Sequence, residues 1–287
     1  MQYCSVKPFL LVLDNAISRV SAYLISLTEQ YWEWMSLTNQ IHSLLSGEMP
    51  RYRLNPFNFR RKQTMKIVSV NVGLPREVMW KGRPVLTGIF KEPVEGQVRV
   101  RFLNLDGDQQ ADLTVHGGAE KAVYTYPSEH YTYWQRELPE MELPWGMFGE
   151  NFTVQGLSED AVNIGDRFRI GSAEVMVTQP RVPCYKLGIR FGRADIIQRF
   201  MASGLSGIYF SVVQEGEVET GDTIQLVSRD QNNVTVADIT RLFDRKAADP
   251  DLLHRAIQVQ ALPTNLRDYF QQQLEQFKKL KVKRESP

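Results

Sequence analysis

Cys184 stands in the segment RVPCYKLGIR, with Arg181, Lys186 and Arg190 a few positions away. Positive charge beside a thiol favours the thiolate, the form that attacks electrophiles and binds metals. Pro183 biases the residue before it toward extended backbone, so the approach to the cysteine is expected to be extended and not helical. A lone cysteine is also a good small core residue, and that reading stands beside the reactive one.

A second group of candidate residues lies in ADLTVHGGAEKAVY. If this run is a strand, alternation puts Asp112, Thr114 and His116 on one face, where the carboxylate could orient the imidazole for proton transfer. Gly117 and Gly118 would let the backbone turn closely against a ligand, and Lys121 could neutralise a phosphate. The same residues also suit an ordinary hairpin turn. In GMFGENFTVQG, Glu150 and Asn151 follow a glycine-flanked loop and are polar groups able to read a heterocycle edge. In WKGRPVLTGIFK, the residues Lys81, Arg83, Thr87 and Lys91 could meet phosphate, but they read better as a solvated edge.

Other chemistries lack their signatures. The histidines His42, His116, His130 and His254 do not combine with Cys184 in zinc-site spacing. There is no GxSxG elbow, dinucleotide fingerprint or phosphate loop, and no flavin, haem or iron-sulfur motif. His130 sits in an aromatic helix and reads as a surface or packing residue.

The elements that would position these residues are mostly short β-type runs between Met65 and about Ser228, separated by turn residues. They include KIVSVNVG, VEGQVRVRFLNLDGDQQADLTVHGG, VNIGDRFRIGSAEVMVTQP and GIYFSVVQEGEVETGDTIQLV. Such spacing predicts a mainly β, α+β fold with a closed or sandwiched sheet. NIGDRFRI and ETGDTIQL share a Gly-Asp turn followed by alternation, which predicts two similar hairpins. SEHYTYWQREL predicts a helix with Tyr131, Trp134 and Leu138 on one face after a Ser128 cap, and ADIIQRFMASG one closed by Gly204. Three short amphipathic helices are expected over 232–280, opened by Thr235, by Asp249 with Pro250, and by Thr264, with the charged KKLKVKRESP end frayed.

With 287 residues, 43% hydrophobic and 23% charged, the chain can bury a sizeable core. A formal net charge of +1 argues against a general nucleic-acid binder, which needs clustered cations. Two cysteines in segments of different character make no disulfide framework and fit a reducing cytoplasm. In PFLLVLDNAISRVSAYLISL the run is broken by Asp14, Asn15 and Arg19; a charge near a bilayer centre costs about 2.5 to 3.5 kcal/mol, so no membrane span is expected. Residues 1–64 differ in character from the rest, with a helix-like stretch around Leu10 to Leu45 and a basic, aromatic patch. Met65 is accordingly expected to be the natural start, with 1–64 an extension, 65–229 the β domain and 232–280 the helical one. A genuine docking or targeting helix is the alternative.

Taken in order, LTGIFKEPV, LDGDQQADLTVHGGAEKAVYTYP, FGENFTVQG and RVPCYKLGIRFG resemble the MOSC family, named for the C-terminal domain of molybdenum cofactor sulfurases. The likeness is to its YiiM-like subgroup with a C-terminal 3-alpha domain, and it leaves residues 1–64 outside. The resemblance implies a β-barrel-like core that binds a molybdopterin-type molybdenum cofactor, with Cys184 as molybdenum ligand. Gly117, Gly118, Lys121, Glu150, Asn151, Arg181, Lys186 and Arg190 are then the expected cofactor-binding residues. It further implies reduction of N-hydroxylated small molecules such as hydroxylaminopurine base analogues, a detoxifying activity, with electrons from a flavoprotein reductase. His116, oriented by Asp112, would handle protons. A cofactor-binding carrier without turnover, or a sulfur carrier using a Cys184 persulfide, are the alternative functions.

Overall fold

The computed structural model describes residues 64–112, 117–244 and 249–285. The expectations placed on Cys4, His42, the helix-like N-terminal stretch, the basic patch, Thr114 and His116 lie outside the described residues.

The strands are β1 (Lys66–Val72), β2 (Arg76–Trp80), β3 (Arg83–Thr87), β4 (Glu92–Val94), β5 (Val98–Val100) and β6 (Val123–Pro127), followed by β7 (Phe152–Gln155), β8 (Arg167–Ile170), β9 (Ala173–Pro180), β10 (Ile208–Gln214), β11 (Gly216–Val218) and β12 (Ile224–Ser228). One eight-stranded sheet runs in the order β12-β8-β9-β10-β6-β7-β1-β4, with only β6 and β7 parallel. Its ends meet. A bridge pairs Lys66 with Thr223, Ile67 N–H donates to the Asp222 carbonyl (2.9 Å), and Ile224 N–H donates to the Met65 carbonyl (2.8 Å). Seven strands therefore close on themselves, β1 against the start of β12, and β4 lies outside on β1. Closure leaves fewer edges open for pairing with other chains.

Alternation drives this closure. In β9, Ala173, Val175 and Val177 are buried and Glu174 and Met176 less so, and the register sets Phe168 beside Val175 and Phe210 beside Val177. Each such aliphatic or aromatic side chain taken out of water contributes about 1.5–3 kcal/mol.

The two Gly-Asp segments do share a turn. Asp166 Oδ2 accepts from Asn163 N–H at 3.0 Å and Asp222 Oδ2 from Glu219 N–H at 2.9 Å. They do not make two separate hairpins, however. β8 pairs with β9 as a hairpin, while β12 pairs with β8 itself, so the like segments lie side by side in the barrel. The strand expected through Asp112 is also not formed where it is described; Asn104 to Asp112 carry only a bridge at Leu105.

Helices α1 (Ser128–Glu137), α2 (Tyr185–Phe191) and α3 (Ile196–Ser203) pack at one side of the barrel. Tyr131, Trp134 and Leu138 are buried as the spacing predicts, in an aromatic cluster where Phe148 stacks on Tyr126 at 4.3 Å and Trp134 Nε1 donates to Tyr126 Oη at 2.7 Å. Ser128 does not cap α1. Its hydroxyl donates to Glu129, and Pro127 occupies the cap position. Gly204 closes α3 in the left-handed conformation.

The tail forms α4 (Val236–Leu242), α5 (Pro250–Gln258) and α6 (Thr264–Glu285). Thr235 and Asp238 make a reciprocal capping box, and Asp249 caps α5 ahead of Pro250. Val236 N–H donates to Val162 (3.0 Å) and Ile164 N–H to Val234 (2.9 Å), tying α4 to the barrel. The α6 backbone is helical through Glu285, which takes in most of the segment KKLKVKRESP. Among the described residues no helix is long and apolar enough to cross a membrane.

Candidate functional site

β9 ends at Pro180 and hands the chain to Arg181 through Cys184. Residues 181–184 carry no helix, and Cys184 itself has extended backbone (φ −123°, ψ 173°), but α2 begins at the very next residue. Sequence reading missed α2 because it is short and has Gly188 inside it. That glycine sits where a Cβ would lie 3.2 Å from the Arg193 carbonyl oxygen, which lets the chain fold back after Gly192.

Half-buried Cys184 lines a cleft of about 650 Å³, open solvent included. Five of the residues expected to bind the cofactor or its metal meet there: Cys184, Lys121, Asn151, Arg181 and Lys186. Arg181 is buried, donates to the Phe148 carbonyl, and has its guanidinium carbon 4.9 Å from the centre of the Tyr124 ring. Tyr124 is held by its own bond to the Ser206 carbonyl (2.8 Å) and packs on Tyr209 at 4.9 Å, both rings lining the cleft. Burial lowers the Lys121 pKa below the ordinary lysine value, opposed by Glu120 and Cys184.

The lining also includes Thr87, Gly88, Ile89 and Lys91, and Gln109 to Ala111. Thr87 and Lys91 are buried here, which corrects their reading as a solvated edge; only Lys81 and Arg83 are exposed. The reason is Asp108, whose Oδ1 pairs with the Lys91 ammonium and accepts from Gly73 N–H at 2.9 Å. Asp108 Oδ2 accepts from Asn151 Nδ2 at 2.9 Å, and Asn151 Oδ1 accepts from Tyr124 N–H at 3.1 Å. Burial lowers the Lys91 pKa, with Asp108 resisting. No local pattern in the sequence signals this network. Four cations, Lys91, Lys121, Arg181 and Lys186, line the cleft, and among its described lining residues there is no carboxylate.

The remaining expected residues are elsewhere. Glu150 is wholly buried and does not reach the cleft, so it cannot read a heterocycle edge there. Its Oε1 accepts from Tyr131 Oη, Gly146 N–H (2.9 Å) and Thr153 Oγ1 (2.9 Å), and its Oε2 from Phe148 N–H (3.1 Å). Burial raises its pKa, and these donors only partly offset the effect. Arg190 lies outside the lining, its guanidinium 5.1 Å from the Phe90 ring, where Arg76 also stacks at 3.8 Å. Burial, with the neighbouring Arg76, lowers the Arg190 pKa. Gly117, Gly118 and Asp112 are not in the lining either, and Gly118 takes φ 91° ahead of the turn Ala119–Lys121. Among the described residues no group of three or more His, Cys, Asp and Glu could hold a metal ion, whereas Cys184 offers one soft donor, suited to a metal that arrives with ligands of its own.

Residues 112–225 match the model of the MOSC domain, and residues 234–277 that of the YiiM-like, 3-alpha helix domain. The chain is 38% identical over 210 residues to YflK of Bacillus subtilis, covering 73% of this chain and 95% of that protein. It is 40% identical over 184 residues to YiiM of Escherichia coli, covering 63% and 81%. A protein of Gibberella moniliformis named a reductase is 32% identical over 181 residues, 62% of this chain but 32% of that one. The crystal structure of YiiM from Geobacillus stearothermophilus superposes with a TM-score of 0.61 at 35% identity, covering 73% of this chain and 99% of that one.

Proposed function

We propose, from the premise that this chain belongs to the MOSC domain family and carries its YiiM-like 3-alpha helix domain, that the cleft beside Cys184 binds a molybdopterin-type molybdenum cofactor and reduces N-hydroxylated compounds. The observation that carries this reading is the composition of the cleft: one thiol among four cations, with no carboxylate in the described lining. That donor set fits a group with an anionic phosphate and a thiophilic metal. The resemblance to a protein named a reductase supports the reaction class.

Cys184 would supply a thiolate, which must be deprotonated to bind a metal. Lys121 and Lys186 would meet the phosphate, while Arg181, held between the Phe148 carbonyl and the Tyr124 ring, would keep its part of the lining fixed. When bound, the cofactor supplies a two-electron redox centre, and the protein positions and tunes it. In the reduction the N–O bond of R–NH–OH breaks, two electrons and two protons enter, and the amine and one water leave. His116 is the proposed proton carrier, set by Asp112. In sequence it lies between Ala111 and Lys121, which both line the cleft. The electrons are proposed to come from a flavoprotein reductase.

Molybdenum content and turnover test this together. Cofactor-loaded protein should reduce 6-hydroxylaminopurine with a chemical electron donor, and Cys184→Ser should abolish turnover. Full activity in that variant would sink the reading. Metal bound without any turnover would make the protein a carrier, and cyanide-labile sulfur without metal would make it a sulfur carrier.

A further inference from the structure

Most arginines among the described residues face a carboxylate or a carbonyl. Arg193 pairs with Asp195 (2.7 Å) and Glu140 (2.8 Å), and Arg199 with Asp195 (3.1 Å) and Glu137 (3.5 Å). Two arginines that meet at one ring break this pattern. Arg76, at the start of β2, has its guanidinium carbon 3.8 Å from the centre of the Phe90 ring, and Arg190, in the last turn of α2, has its own 5.1 Å from the same centre. Among the described residues neither side chain makes an ion pair or a hydrogen bond, and Arg190 Nε is shut off from solvent with no acceptor. Arg83 and Arg136 also lack a partner, but both are exposed to water; Arg190 is half-buried.

The fold holds this pair in place. Arg76 lies opposite Thr87 in the β2–β3 hairpin, and a Cβ on Gly188 would lie 3.8 Å from Trp80 Cζ2, so the hairpin rests on α2. Arg190 follows Lys186 on that helix by four residues, about one turn. Thr87 and Lys186 line the cleft, whereas Arg76, Phe90 and Arg190 do not. Burial and then Arg76 lower the Arg190 pKa, and Glu150, Tyr131 and Glu92 oppose them without either glutamate coming within ion-pair distance. The ring face attracts both cations but offers their N–H groups no oxygen. Charge compensation and acceptors are thus left to be supplied from outside the protein.

We propose that Arg76 and Arg190 form a second anion site, outside the cleft, and that it takes a phosphate group. A carboxylate has two oxygens, which one guanidinium fork saturates. A phosphate group carries a charge of about −1.5 to −2 at pH 7 and three acceptor oxygens, enough to engage both arginines. Neither the molybdenum cofactor nor the reduction enters this proposal, so its failure and that of the reductase reading are separate.

The test is calorimetric titration of the full chain with inorganic phosphate and, separately, with glycerol 3-phosphate. It compares wild type, Arg76→Gln, Arg190→Gln, Arg190→Lys and the cleft variant Lys121→Gln/Lys186→Gln. Wild type should bind phosphate at a site that the cleft variant keeps. Each single glutamine substitution should weaken that site about tenfold, the scale of one hydrogen bond to a charged group. Arg190→Lys, which keeps the charge but not the planar fork, should recover only part of the loss. Arg76 is exposed, so Arg76→Gln reads the site even if Arg190→Gln fails to fold. Unchanged affinity in Arg76→Gln, or loss of all phosphate binding in the cleft variant, would overturn the proposal. Equal displacement by chloride at the same ionic strength would do so too, since it marks general attraction. Arginine-dependent binding that is tighter for glycerol 3-phosphate identifies a phosphomonoester as the ligand, and the reverse order identifies the free anion.

Discussion

Lys91 and Asp108, seventeen residues apart in the chain, face each other as an ion pair whose side chains are 8% and 0% exposed. Breaking a buried pair by removing one partner costs about 3–5 kcal/mol, because the other charge is stranded, whereas replacing both partners is much cheaper. Asp108→Asn should therefore lower stability by about that amount, and Lys91→Met should do likewise. The double variant should be more stable than the sum of the single losses implies. Urea unfolding of all four proteins measures the coupling, and simple additivity would show that the pair is not energetically linked.

Glu150 predicts a pH dependence. Its folded pKa is raised from 4.5 by burial, so between 4.5 and the folded value the native state binds more protons than the unfolded one. Stability from this group is full below pH 4.5 and is lost as pH rises through the folded pKa. In Glu150→Gln the amide oxygen can take over the three bonds now made by Oε1, but the NH₂ faces Phe148 N–H, a loss of about 1–3 kcal/mol. The variant should be less stable at low pH and should lack this component of the slope. Unfolding curves collected from pH 4 to 8 for both proteins would show it, and parallel profiles would remove Glu150 as the cause.

How much of this was legible in the sequence depended on range. The alternation in AEVMVTQP and the caps at Thr235 and Asp249 are local signals, and the structure follows them. Barrel closure rests on Lys66 meeting Thr223, and the pairing of β12 with β8 is equally non-local, so two like turns read as two separate hairpins. Arg181, Cys184 and Lys186 lie in one short basic segment and line the same cleft as Lys121, whereas Arg190 of that segment does not. Lys91 looked solvent-exposed because its burial depends on a carboxylate far along the chain. Glu150 looked like a ligand reader because its four donors come from separate parts of a loop, a helix and a strand.

Glu159 joins the barrel's neighbouring elements without touching the cleft. It is buried, sits 2.8 Å from His130 Nε2 through Oε2, and accepts from Gly207 N–H through Oε1 at 2.7 Å. Glu159→Ala should strand that buried amide at a cost of about 1–3 kcal/mol while leaving the cleft as it is. The expected outcome is a lower melting temperature with unchanged molybdenum content, measured on the same preparation. Loss of metal from a fully folded variant would contradict this purely structural role.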